Sequence, residues 1–266
     1  MKLKAIIEYI GSDFHGWQIQ GDLPTVQGDI ENALRIYFKT EAERQGYIIK
    51  PNDFFIQGSG RTDAGVHAKG QVGSFTVPDN FTFDLGRLKN SLNALTSKSL
   101  LIKSLEVVSD DFDARFSPHY KLYTYKIRLA DFRAGIDSNF ALFYSNRLDF
   151  KLMDAAARLI KGKHDFSSFR ASDCGAKSTT RTVLASEIFR RDDCYIYQIV
   201  GNGFLKNMVR IIAGSLIAVG QRKISLENFE YSLNTPNSRE LLGNTAPAQG
   251  LTLEWVKYLD KNYFND

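Results

Sequence analysis

HYKLYTYKIRL, residues 119–129, alternates with a period of two: Tyr123, Tyr125, Ile127 and Leu129 share one face, and Lys126 and Arg128 the other. The pattern predicts a strand. Working outward, the run from about Lys151 to Ile160 reads as a helix that stops at Gly162. VLASEIF (183–189) and CYIYQIV (194–200) read as strands, and a long apolar helix follows from about Leu205 to Val219. LTLEWVKY (251–258) is the final strand. Upstream, the series is similar. LKAIIEYI (3–10) is a strand, and Ile30, Ala33, Leu34, Tyr37 and Phe38 have the spacing of an amphipathic helix. FFIQG (54–58) and QVGSFTV (71–77) are strands flanking a glycine-rich loop. Asp84 is placed to cap a helix carrying Leu85, Leu88, Leu92 and Leu95, and LIKSLEVV (101–108) is another strand. Helices separated by short strand pairs predict an α+β fold of two similar halves, residues 1–112 and 113–266, meeting across a mainly antiparallel central sheet. A cleft between the halves is the expected place for a binding site.

Composition narrows the class. The chain has 266 residues, 43% of them hydrophobic and 24% charged, which excludes a disordered regulator. No stretch approaches the ~18–20 uncharged apolar residues of a membrane span. MKLKAIIEYIGSD alternates like a strand and has no cleavage-site pattern, so it reads as mature protein. Cys174 and Cys194 form no C-x-x-C pair and no disulfide framework, so a reducing cytoplasm is expected. Net charge is only +4. Its distribution says more: Lys161 to Lys223 carries eleven Lys and Arg against five Asp and Glu. A basic segment on a slightly acidic body is the footprint of a protein that holds a polyanion, although a solvated face would look the same.

The loop with chemistry in it is Gly58-Ser-Gly-Arg-Thr-Asp-Ala-Gly-Val-His67. It is not a dinucleotide fingerprint, because Asp63 stands where the third glycine is needed. Gly60 and Gly65 have Walker spacing, but Val66 follows in place of lysine. A metal site is poorly supported, since His15, His67, His119 and His164 form no H-x-x-x-H pair. His67 reads as a structural histidine. What remains is the carboxylate of Asp63 beside the guanidinium of Arg61. Such an aspartate serves either as a turn residue bonding its own backbone or as a nucleophile or base kept ionised by nearby cations. Spacing alone leaves both readings open.

GSGRTDAGVHAKGQV resembles the signature of the tRNA pseudouridine synthase A family, whose catalytic aspartate lies in G-R-T-D-A-G-V-H-A. The resemblance runs through Phe14-His15-Gly16-Trp17-Gln18, Thr25-Val26-Gln27, Phe112-Asp113-Ala114-Arg115-Phe116-Ser117 and Tyr123-x-Tyr125. It continues through His164-Asp165-Phe166-Ser167-x-Phe169-Arg170, Gly203-Phe204-Leu205-x-x-Met208-Val209-Arg210 and Ala246-Pro247-Ala248-x-Gly250-Leu251. One departure is Lys121-Leu122-Tyr123, where the family has Arg-x-Tyr.

The resemblance implies a pseudouridine synthase fold and the isomerisation of uridine to pseudouridine in the anticodon arm of tRNA, at positions 38, 39 and 40. No cofactor and no metal are needed for that reaction. It implies that Asp63 acts at the ribose, either attacking C1′ or removing the C2′ proton. The target must be flipped out of its stack, and the resemblance gives Arg61 the task of holding the opened helix and Tyr123 that of stacking on uracil. Arg210 is implied as the cation beside Asp63; otherwise Lys206, Asn207 and Arg210 would be a solvated stripe on one helical face. A homodimer sharing one tRNA is implied too. Lys161, Lys163, Arg170, Lys177, Arg181, Arg190 and Arg191 are candidates for phosphate contacts. Two other readings compete: a non-catalytic RNA-binding protein, which could dispense with Asp63, and a nucleosidase, which would want a second carboxylate or a metal.

Overall fold

A computed structural model describes residues 1–50, 53–79, 81–117, 119–130, 135–145 and 147–259. The chain forms two compact units: Met1–Pro118 with Tyr258–Asp266, and His119–Lys257. The class is mixed α+β, with strand pairing that is mainly antiparallel.

The first unit contains β1 (Lys2–Tyr9), α1 (Val26–Arg44), β2 (Gln57–Gly58), β3 (His67–Thr76), α2 (Leu85–Leu95) and β4 (Leu100–Val108). β1 is central, antiparallel to β3 and to β4, and β2 pairs with β3. Alternation places Leu3, Ala5, Ile7 and Tyr9 inside. The predicted face of α1 buries Ile30, Ala33, Leu34 and Phe38, while Tyr37 is only half-buried. Caps fall where the side chains dictate: Thr25 accepts from the Gly28 amide and Asp84 from the Arg87 amide. The expected strand at 54–58 shortens to Gln57–Gly58. Phe54 adopts φ 64°, a conformation costing about 1–3 kcal/mol, and its ring stacks on Phe38 with centroids 4.9 Å apart. Ring burial therefore overrides strand propensity there.

The second unit contains β5 (His119–Leu129), β6 (Leu142–Tyr144), α3 (Phe150–Leu159), β7 (Gly162–Asp165), β8 (Thr180–Arg191), β9 (Cys194–Gly201), α4 (Met208–Gly220), α5 (Leu226–Asn234) and β10 (Leu251–Tyr258). The strand order is β10-β5-β9-β8-β7, with β6 parallel to β5. β5 has the predicted bounds, and Lys121 joins Tyr123, Tyr125 and Ile127 on its buried face. Beneath the sheet, Ser186 ties β8 to α3 by donating to the Ala157 carbonyl, and it also meets the Tyr197 hydroxyl. α4 is buried almost all round, as its apolar composition demands. It begins three residues later than its hydropathy suggests, because Asn207 at its start is left-handed, φ 61°.

Candidate active site

The Asp63 loop belongs wholly to the first unit and is fixed from three sides. From below, Gln71 on β3 is fully buried and acts as a bracket. Its Oε1 accepts from Ser59 Oγ at 2.6 Å, and its Nε2 donates to the Gly60 carbonyl at 2.9 Å. From β1, the Tyr9 hydroxyl lies 2.8 Å from Thr62 Oγ1, both buried. From the segment after β1, the Trp17 amide donates to the Thr62 carbonyl at 3.2 Å, and the Gly65 amide donates to that of Phe14 at 3.4 Å. Gly16, at φ 90°, allows this approach: a Cβ there would sit 2.7 Å from the Thr62 oxygen.

Asp63 itself opens a turn. Its carbonyl accepts from the Val66 amide at 3.1 Å, and Gly65 supplies the positive φ of 80° that such a turn requires. Asp63 is half-exposed between buried Thr62 and exposed Ala64, and Arg61 is exposed. The loop thus holds the backbone on either side of a carboxylate whose residue reaches solvent. His67 is structural, as its sequence context suggests: it is buried, and its Nδ1 accepts from the Gly11 amide at 3.0 Å.

Tyr123 and Arg210 belong to the second unit. Tyr123 is 8% exposed, opposite Ile199 of β9, and meets Phe204 edge-on at 5.2 Å. Arg210 lies in the first turn of α4. Its Nε donates to the Ala246 carbonyl at 2.9 Å and its Nη1 to Asn207 Oδ1 at 3.0 Å, while the Ala246 amide donates to the Arg210 carbonyl. One residue on, the Pro247 carbonyl accepts from the Tyr125 hydroxyl at 2.9 Å. Burial pushes the Tyr125 phenol up, opposed by the charge of Arg210. The alternative of a solvated helical stripe does not fit: Lys206 and Asn207 precede the helix, Lys206 pairs with Asp173, and Arg210 is half-buried against the 246–247 segment.

The family model described as tRNA pseudouridine synthase matches residues 156–259. The tRNA pseudouridine synthase A of Geobacillus sp. (strain WCH70) is 38% identical over 259 residues, covering 97% of this chain and 98% of the relative. That of Listeria monocytogenes serotype 4b (strain CLIP80459) is 37% identical over 97% of this chain and 99% of the relative. That of Acetivibrio thermocellus is 38% identical over 96% of this chain and 99% of the relative.

The chain belongs to the tRNA pseudouridine synthase A family.

Within the family signature, the glycines and Gln71 have visible duties: they shape and brace the loop rather than contribute a reacting group. Gln71 and the Gly16-Trp17 support carry no sequence signal of their own beyond the resemblance, since a buried glutamine inside a strand has no distinctive spacing. The basic candidates do not gather in one place. Lys163 on β7 and Arg181 at the start of β8 lie close together, with Lys163 opposite Thr182 and His164 opposite Arg181. Arg190 and Arg191 lie at the far end of β8, opposite Tyr195 and Cys194. Nine residues of strand between Arg181 and Arg190 amount to ~30 Å at about 3.3 Å per residue. Arg181 is also committed locally, its Nη1 donating to the Ser178 and Thr180 carbonyls, and burial pushes its pKa down. Lys161, Lys163 and Lys177 are exposed.

Proposed function

We propose that this protein converts uridine to pseudouridine in the anticodon arm of tRNA, at positions 38 to 40, with Asp63 acting at the ribose. The observation that carries the reading is the fixed Asp63 turn, braced by Gln71, Thr62 and Gly16, in a chain of this family. A loop with so many restraints fixes the backbone from which the Asp63 carboxylate projects, which positioning catalysis rewards. The N1–C1′ bond breaks, the freed uracil turns, and C5 bonds to C1′; the C5 hydrogen leaves as a proton and N1 takes one up, so the product is an isomer. Asp63 either forms a bond to C1′ that C5 later displaces, or takes the C2′ proton and returns it. Deuterium at C2′ discriminates: a primary isotope effect accompanies proton removal only.

Arg61, Tyr123 and Arg210 are the proposed substrate-binding residues, with Arg61 holding the opened helix, Tyr123 facing uracil and Arg210 supplying positive charge. A cytoplasmic homodimer is the proposed working form. The division of labour at 112/113 is likewise a proposal, with the Asp63 loop before it and the basic segment after it.

The test is tRNA labelled with tritium at uridine C5. Conversion releases tritium to water without changing the mass of unlabelled tRNA, whereas a nucleosidase frees uracil and a binding protein does neither. Pseudouridines mapped only outside the anticodon arm would remove the substrate assignment and keep the chemistry.

A further inference from the structure

The turn at Phe112-Asp113-Ala114-Arg115-Phe116-Ser117 is tied down by several hydrogen bonds within the first unit. Asp113 Oδ1 accepts from the amides of Arg115 at 2.7 Å and Phe116 at 2.9 Å. The Ser117 amide donates to the Asp113 carbonyl at 2.9 Å, and the Asp113 amide donates to Ser117 Oγ at 3.0 Å. Buried Ala114 anchors the turn from beneath. Its amide donates to Ser74 Oγ on β3 at 3.1 Å, and its carbonyl accepts from the Tyr258 hydroxyl at 2.6 Å. The Tyr258 ring packs edge-on against Phe112 at 4.9 Å, with Lys4 Nζ 5.8 Å from the Phe112 ring centre and 5.6 Å from that of Tyr258.

What this rigid turn displays is a phenylalanine. Phe116 is 75% exposed, the most exposed aromatic side chain among the described residues. The Arg115 guanidinium carbon lies 5.3 Å from its ring centroid, and Arg115 is exposed as well. Single exposed apolar side chains are ordinary. A ring held out on a turn whose backbone is already ordered is a different object, because a flat partner can stack on it without further loss of chain entropy. Its neighbours in sequence include the polar Asp113, Arg115 and Ser117. A single exposed ring is smaller than the broad apolar patch that a stable subunit interface buries. A flat π-face with a negative charge one sugar away fits both features at once.

We propose that Phe116 and Arg115 form a platform on which an unpaired base of the tRNA stacks, with Arg115 meeting the adjoining phosphate. The proposal rests on the tRNA substrate proposed above and adds a binding contact remote in sequence from Asp63. Stacking on an aromatic ring tolerates any base and contributes substantially to affinity for single strands.

The experiment compares wild type, Phe116→Ala and Phe116→Trp on one unmodified tRNA transcript. Phe116→Ala is expected to weaken tRNA binding about tenfold or more, with the salt dependence of binding kept, because an uncharged ring releases no counterions. Phe116→Trp is expected to bind like wild type and to lose indole fluorescence on adding tRNA, beyond any change from Trp17 and Trp255 in wild type. Arg115→Ala is expected to flatten the log–log salt slope by about one. Phe116→Ala binding tRNA with wild-type affinity, or Phe116→Trp fluorescence that does not respond to tRNA, overturns the platform, while tritium release by wild type keeps the enzyme reading intact. A shift in oligomeric state of Phe116→Ala by light scattering assigns the ring to a second copy and also overturns it. Wild-type protein that neither binds nor modifies tRNA removes both readings.

Discussion

Gly16 lies against Thr62: a single methyl group added at residue 16 would stand 2.7 Å from the Thr62 carbonyl oxygen and 3.3 Å from the Ala64 amide nitrogen. The close approach falls on the backbone of Asp63, whose carbonyl carbon is also 3.3 Å away, and of both its neighbours, so Gly16 sets the height of the loop. Gly16→Ala is expected to displace the Asp63 turn. A misplacement of about 1 Å can cost on the order of 10²-fold, so tritium release should fall by roughly ten- to a hundredfold. The left-handed φ adds about 1–3 kcal/mol of instability, visible in a thermal melt. An alanine variant with wild-type turnover would mean that the loop height is unimportant.

Asp63→Asn keeps size and removes the basic, nucleophilic oxygen. It is expected to fold, to bind tRNA and to form no detectable pseudouridine, since acid–base catalysis alone contributes roughly 10²–10⁴-fold. Retention of more than about a tenth of the wild-type rate would displace Asp63 from its proposed role.

Tyr123→Phe keeps the ring and its edge-on packing with Phe204. If stacking is the role of Tyr123, its loss of activity should be much smaller than that of Tyr123→Ala. Equal and near-complete losses in a single-turnover assay would point to the hydroxyl as a proton donor or acceptor.

The separation of basic groups along β8 divides the salt effect. Exposed Lys163 is at the end of the unit where Arg181 lies alongside Gly203, next to the Phe204 that meets Tyr123, and exposed Lys177 comes shortly before β8 in the chain. Replacing both with alanine is expected to raise KM and flatten the salt slope by about one for each phosphate no longer neutralised. Arg190→Ala/Arg191→Ala, ~30 Å away along the strand, should do less. The reverse ranking would move the tRNA track to the far end.

Asp165 supplies a pH test. The Thr179 side chain chiefly, and the Ser167 amide at 2.9 Å, hold its carboxyl below the usual range. A carboxylate with a depressed folded pKa contributes stability above its unfolded pKa and loses it as pH falls through the folded one. Asp165→Asn should therefore melt earlier than wild type near neutral pH, and the two curves should converge in acid. A gap independent of pH would assign the difference to hydrogen bonding alone.

Much of this architecture is legible in alternation and spacing. β5 has the bounds read from its tyrosines, and Asp84 caps α2 where the spacing of its leucines requires a cap. The elements that escape such a reading share a cause. β7 contains no buried residue, so it has no apolar beat to read, and α5 has few buried anchors, Phe229, Ser232 and Leu233, over nine residues. At the site, Asp63 is visible through the resemblance, but the braces around it are not. Gln71, Tyr9 and Gly16 work through buried hydrogen bonds and close backbone approach, which are properties of partners brought together by folding.

The Tyr258–Ala114 bond spans 144 residues. During synthesis, the Asp63 loop and the strand that braces it leave the ribosome early, but one anchor of the Arg115–Phe116 turn is made only when β10 is. Domains generally fold as they emerge, and this unit must instead wait for nearly the whole message before its last tie closes. A chain cut short before residue 258 would carry every residue of the Asp63 loop and still lack that fastening.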